Sequence, residues 1–320
     1  MQISCFNRSK FRSFETPGED VLLILPGLYA LFDGATDPTK TMLDGITSGR
    51  FAALTCAEAV GRLWATQQLA HDEELLHQVN EQLEVVLLQK TAEGQLQAEG
   101  KPPSTTMALA WDVGEELLFF LLGDSGVRLN GQEEIVLRKQ IDHVSTLTRQ
   151  ALFRLLREQG LEGDALEYQT RQVVYYGLDK ALEQGVLTDT QQQDLLEHIQ
   201  LNFPAAAAEG MSFLKHGVVS QHRFANQGEL PLGYAALNGK SLAGEGMLCF
   251  SRPKTSIKSL ELFTDGYFSL PDEVTVAAWE REFARIESID PSKIDSCPAI
   301  KGSTSTEFSD DRSVLIIQYA

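Results

Sequence analysis

Apolar residues along the chain fall into blocks of two periods, and the order of the blocks predicts the order of the elements. Val21 to Phe32 is an apolar run interrupted by Pro26-Gly27 and stopped by Asp33-Gly34, which predicts two short buried strands joined in a hairpin. From Ser48 to Leu96 apolar residues recur at three and four spacing, long enough for two helices, with Ser48 placed to cap the first. After the Gly100–Pro103 break, Ser104 to Lys139 alternates strand text with turn signals at Val113-Gly114 and Asn130-Gly131, predicting a three-strand meander. The period becomes helical again from about His143 to Leu201, with Gly160 and Gly185 as stops. Strand text resumes near Gly217, carries Asn238-Gly239 as a further hairpin candidate, and runs to Pro271. A helix from Val274 to Ile286 follows, and the chain ends in a buried strand entered through two aspartates, Asp310 and Asp311. Strands in hairpins with grouped helices predict an α+β fold, antiparallel sheets covered by helices, and not a doubly wound parallel sheet.

Composition narrows the class. With 43% apolar and 22% charged residues, the chain can fill a sizeable core and is not a disordered one. Its 320 residues exceed a typical domain, so by length alone one large domain with an insertion and two smaller ones are both open. The surplus of 45 acidic over 27 basic residues opposes general attraction to nucleic acid or to anionic membrane surfaces, so neither is expected as a partner. Four widely spaced cysteines without a CxxC pair suggest neither a disulfide framework nor a zinc knuckle. No apolar run approaches the roughly 20 residues needed to span a bilayer, and the first residues lack a secretion-signal pattern, which points to the cytoplasm.

Four acidic points share one grammar, an apolar strand meeting an Asp: Asp33 in ALFDG, Asp124 in FLLGDSG, Asp265 in ELFTDGYF, and Asp310 with Asp311 in SDDRSVLII. A single Asp-Gly after a strand is an ordinary turn. Several carboxylates at the ends of neighbouring core strands would instead make a cluster too repulsive to persist without cations, and hard oxygen ligands suit magnesium or manganese. No HExxH, GxSxG or Walker A sequence offers another chemistry, and the six histidines show no metal-ligand spacing.

In this order and spacing the motifs resemble those of the metal-dependent protein serine/threonine phosphatases of the 2C type. Glu19-Asp20 resembles that family's early acidic pair, LFDG at Leu31 to Gly34 its Asp-Gly motif, and Ser104-Thr105-Thr106 its Gly-Thr-Thr segment. GDSG at Gly123, TDGY at Thr264 and DDRSV at Asp310 are similar to its later acidic motifs. The resemblance implies one 2C-type domain over residues 1–320, a four-layer αββα arrangement of two antiparallel sheets packed as a sandwich between helices, with a helical insertion at about 144–201.

It also implies a mechanism: phosphoserine or phosphothreonine of a protein substrate is hydrolysed by direct attack of a water held between two divalent cations, manganese or magnesium, with a third, weaker one. Asp33 would bridge the two metals, assisted by the Gly34 carbonyl. Asp265 and Asp310 would hold the second, and Asp20, with Glu19, would act through waters. Asp124 with Asp265 would favour the third. Arg12 resembles the phosphate-binding arginine, while Asp311 stands where the family often has Asn. The chain departs from the family after Asp33-Gly34, where Ala35-Thr36-Asp37-Pro38 replaces Met-Gly-Gly, and at Gly18 before the acidic pair. With the core carboxylates present, the chain reads as a divergent active enzyme. The alternatives are a catalytically weak phosphoprotein-binding regulator and a hydrolase of small phosphorylated metabolites. The helical insertion either covers exposed sheet or offers a docking place for substrate or a regulator.

Overall fold

The computed structural model describes residues 1–13, 16–97 and 100–319. In chain order the elements are β1 (Gln2–Arg8), β2 (Val21–Leu25), β3 (Leu28–Phe32), the two-residue strands β4 (Met42–Leu43) and β5 (Ile46–Thr47), α1 (Ser48–Ala65) and α2 (Glu74–Ala92). Then come β6 (Met107–Asp112), β7 (Glu116–Leu122), β8 (Gly126–Leu129), β9 (Glu133–Ile135), α3 (Gln140–Glu158), α4 (Gly163–Tyr176), α5 (Leu178–Glu183), α6 (Asp189–Asn202) and α7 (Ala207–His216). The chain closes with β10 (Met247–Pro253), β11 (Ser259–Phe263), α8 (Val276–Ile289) and β12 (Arg312–Gln318).

Two five-stranded antiparallel sheets, ordered β1-β12-β11-β8-β9 and β10-β7-β6-β3-β2, pack face to face. The period of two explains why their central strands read as unbroken apolar runs. In β3, Tyr29 and Leu31 point into the space between the sheets while Leu28, Ala30 and Phe32 point outward beneath α1 and α2. In β12, Leu315 and Ile317 face the inter-sheet core while Val314 and Ile316 meet Trp279 and Phe283 of α8. Both faces of these central strands are therefore buried, and the result is a four-layer αββα sandwich. Truncating a fully buried residue such as Leu31 to Ala would cost about 2–5 kcal/mol.

Helices α3 to α7 intervene between β9 and β10 and bury a core of their own, built from Val144, Leu152, Leu166, Val173, Ile199 and Phe213 among others. They extend from Gln140 to His216, beyond the 144–201 read from sequence. Among the described residues no helix is long and apolar enough to cross a membrane.

The structure differs from the sequence reading in four places. The expected meander is two hairpins in different sheets: β6 pairs with β7 in one and β8 with β9 in the other. The chain crosses between sheets at Gly123, whose positive φ of 86° permits the sharp change of direction. The strand text after Gly217 forms a short helical turn, Val218–Arg223, and then irregular chain. There the Asn226 side chain takes the place of a strand partner, accepting from the Ala236 N–H and donating to its carbonyl. Asn238-Gly239 is no hairpin, because both of its N–H groups donate to Asn80 of α2. Ser48 does not cap α1; Thr47 precedes the first turn, and no side chain caps it. The first strand, β1, gave no sequence signal of its own, since it is a half-exposed edge that pairs along its length with β12.

Candidate active site

Every strand-end aspartate singled out above emerges at the same end of the sandwich. Asp33 follows β3, Asp124 lies in the crossover from β7 to β8, Asp265 follows β11, and Asp310 precedes β12. All four line one cavity of about 760 Å³, together with the Gly34 backbone. Asp20, just before β2, is buried beneath them, and its charge acts on Asp33. The site thus draws on both sheets, which explains why its residues are far apart in sequence.

Local bonding fixes the central strand end. The Asp33 carbonyl accepts from the Thr106 N–H at 2.9 Å and the Thr105 hydroxyl at 2.8 Å, so the Thr-Thr segment pins the turn that presents the Asp33 carboxylate. Gly34 is required by close approach: a Cβ there would lie 2.5 Å from the backbone of Gly49 at the start of α1. Ser125 is fully buried and shares a 2.7 Å hydrogen bond with Thr106, which suits a structural tie and not a nucleophile.

Electrostatics mark the cluster as unbalanced. Burial first, then Asp20, Asp265, Asp310 and Asp124, hold the Asp33 carboxyl well above the usual carboxylate range. Asp20 is held well above it by burial and then by Asp311; its Oδ2 accepts from Thr264, but its Oδ1 is buried with no hydrogen-bond partner among the described residues. Asp265 faces the water of the cavity, yet the surrounding protein and then the charges of Asp310 and Asp124 push it up to about 8.

Two lysines absent from the sequence reading enter this cluster. Lys139 Nζ lies 2.8 Å from Asp124, and Lys301 Nζ lies 3.0 Å from Asp310. Burial would lower both lysines, but Asp124 and Asp142 hold Lys139 well above its ordinary value, and Asp310 raises Lys301. Both are therefore ammonium groups at neutral pH. Burial would likewise raise Asp310, but Lys301 and Lys10 reverse this and bring it below the usual range. No periodicity or motif marks either lysine; the packing of the start of α3 and of the loop before β12 seats them on the acids. His143 lines the same cavity and was also not assigned from sequence.

Other candidates lie elsewhere or are engaged. Arg12 is outside the cavity lining: its guanidinium sits 4.0 Å above the Phe308 ring and donates to the Thr304 carbonyl. The cation near the early acidic pair is instead Lys10, whose Nζ donates to Glu19 at 3.1 Å and to Thr36 at 2.9 Å. Glu19 is thereby occupied. Asp311 accepts from the Lys10 and Glu19 N–H groups, at 2.5 and 2.8 Å, and so braces the chain entering the site.

The donor set is all oxygen and matches a hard divalent cation in kind, with the orphaned Asp20 Oδ1 and the mutually repelling Asp33 and Asp265 in need of positive charge. Among the described residues no three acidic, histidine or cysteine side chains are yet gathered into a ready cage, and Asp124 and Asp310 each face a lysine.

No family model matches the chain, and no curated protein does. Among solved structures it is similar to the serine/threonine phosphatase Stp1 from Staphylococcus aureus, at 11% identity over 100% of this chain and 95% of that one, with a TM-score of 0.49. It is similar to the serine/threonine phosphatase PstP/Ppp of Mycobacterium tuberculosis, at 14% identity over 98% and 97%, with a TM-score of 0.45. A third is the PPM Ser-Thr phosphatase MsPP from Mycobacterium smegmatis, in complex with cacodylate, at 14% identity over 100% and 99%, with a TM-score of 0.45. All three are described as serine/threonine phosphatases.

Proposed function

We propose that the protein is a metal-dependent phosphoprotein phosphatase acting on phosphoserine or phosphothreonine. The observation that carries this reading is the meeting of Asp20, Asp33, Asp124, Asp265 and Asp310, from five separate segments, around a cavity in which Asp33 takes the charge of the other four. A fold that tolerates such repulsion without a ligand loses stability, so the cluster argues for a cationic one. Two divalent cations, manganese or magnesium, would supply Lewis-acid polarisation of the phosphoryl group and a water of lowered pKa, so that no protein nucleophile is needed.

Within this reading each residue has a task. Asp33, with the Gly34 carbonyl, would hold the central position, Asp265 and Asp310 one side, Asp20 the buried side and Asp124 an outer, weaker one. Thr105 and Thr106 keep the Asp33 turn from relaxing. Lys139 and Lys301 set ammonium groups on Asp124 and Asp310. Arg12 would have to leave Phe308 to take part.

Hydrolysis of a phosphothreonine peptide with and without added manganese tests the reading. Turnover that depends on manganese and is lost in Asp33→Asn is expected; turnover indifferent to both would overturn it. A second reading, a phosphoprotein-binding regulator with little hydrolysis, is favoured by the occupation of Asp124 and Asp310 by lysines. It would show as peptide binding without release of phosphate in the same samples.

A further inference from the structure

The two lysines are not independent of the helical insertion. Lys139 is the residue that precedes the first turn of α3, so the start of the insertion sets where its ammonium group falls. Lys301 belongs to the loop between α8 and β12, and α3 and α4 grip that loop through its backbone. Arg149 of α3, with a fully buried side chain, donates to the carbonyls of Ser292, Lys293 and Ala299 at 2.8, 2.9 and 3.1 Å and pairs with Glu167 of α4. Glu167 accepts from the Gly302 N–H at 2.7 Å, and Arg171 donates to the Gly302 carbonyl at 2.9 Å. Gly302 is adjacent to Lys301, and a Cβ there would collide with Ser292, Glu167 and Arg149, so the grip closes directly on the neighbour of the lysine.

These bonds engage several buried charges to hold an irregular loop, and the loop places its buried lysine 3.0 Å from Asp310 and 3.4 Å from Thr36. Thr36 lies in the segment directly after Asp33-Gly34, so the ammonium group bridges two parts of the acidic centre. An ammonium group seated on a carboxylate competes with a divalent cation for the same oxygens, since each is drawn by the same negative charge and repels the other.

We propose that the helical insertion sets the divalent-cation affinity of the acidic centre through Lys139 and Lys301, two tethered ammonium groups that it positions on Asp124 and Asp310. The inference rests on the reading of that centre as a divalent-cation site. The clamped insertion holds both lysines on the carboxylates and so keeps the affinity low.

Calorimetric titration of manganese chloride into the full chain tests this, beside the manganese-dependent rise in melting temperature. Lys139→Met and Lys301→Met should bind manganese about tenfold or more tightly than the parent, the usual reach of one charge on a neighbouring carboxylate. Arg171→Gln, which touches Gly302 and not the acidic centre, should shift affinity in the same direction by a smaller factor. Lys90→Met, which removes a surface lysine paired with Asp44 and Glu93, should stay within about twofold and controls for net charge. Lys301→Arg, which keeps the charge, should retain the parent affinity and provides a folded comparison if a Met variant fails to fold. Lysine variants that bind no more tightly than Lys90→Met would overturn the inference and leave the metal reading standing. Tightened lysine variants beside an unchanged Arg171→Gln would overturn the part given to the insertion. No manganese binding by any of these proteins would overturn the metal reading and the inference together.

Discussion

The floor of the cavity and its helical wall treat buried charge in opposite ways. On the floor, Asp33 takes the charge of Asp20 and Asp265, none of the three forms an ion pair among the described residues, and one oxygen of Asp20 has no hydrogen-bond partner among them. In the wall, Arg149, as buried as Asp20, meets Glu167 and three carbonyls, and Arg171 meets Glu307 and the Gly302 carbonyl, although the Nε of each has no hydrogen-bond partner among the described residues. A satisfied buried charge holds structure together, whereas an unsatisfied one stores a demand for a ligand. The contrast separates residues that build the site from those that await something in it.

The largest expected effect tests the floor. Asp33→Asn should lower manganese-dependent turnover of a phosphothreonine peptide at least about a thousandfold, the scale of losing one preorganised charge at a reaction centre. Its melting temperature without metal should equal or exceed the parent's, since one repelling charge is gone, and the rise on adding manganese should shrink. A destabilised metal-free mutant would mean that the floor is satisfied by contacts after all, and the contrast with the wall would fail.

The wall should behave in the opposite sense. Arg149→Met leaves the buried Glu167 with only Arg171 and the Gly302 N–H and strips three carbonyls of a donor, so urea denaturation should show a loss of about 3 kcal/mol. A loss below about 1 kcal/mol would make the clamp dispensable. Smaller effects sharpen the comparison at its edges. Asp37, in the segment after Asp33-Gly34, would be raised by burial, but hydrogen bonds from Thr41 and Thr39 and the charge of Lys101 bring it down to about 2. A depressed carboxyl contributes stability that is present above its unfolded pKa and is lost as pH falls through the folded value. Asp37→Asn should therefore cost on the order of 1 kcal/mol at pH 7, after allowance for solvent screening, and the difference from the parent should vanish between about pH 4 and 2 in acid denaturation. Thr188→Ala removes the capping box with Gln191 at the start of α6 and should cost about 1 kcal/mol, with manganese affinity unchanged because α6 takes no part in the clamp.

Asp33 and Asp265 were legible because each sits where a strand ends, and strand ends are written locally as an apolar run followed by Asp-Gly or a similar turn; Asp20, before β2, was marked only by the family resemblance. The hairpin of β2 and β3, helices α1, α2 and α8, and the closing strand were legible for the same reason. The meander was misread because hydrophobic alternation says that strands exist and not which sheet each one joins; the crossing at Gly123 depends on what waits on the other side. The stretch after Gly217 misled because the side chain of Asn226 supplies bonds that the pattern assigned to a neighbouring strand.

The sequence by itself determined the alternation of buried strands and amphipathic helices, and with it the acids at the strand ends, because periodicity and turn chemistry act over a few residues. Only the tertiary structure decided which cations reach those acids. Arg12, eight residues from Asp20, lies against Phe308, while Lys139 and Lys301, fifteen and nine residues from the carboxylates they meet, are seated on them by the start of α3 and by a clamped loop. The physical reason is the range of the interactions: a turn is set by its own residues, but whether a nearby cation reaches an acid is set by the helices that pack against its loop.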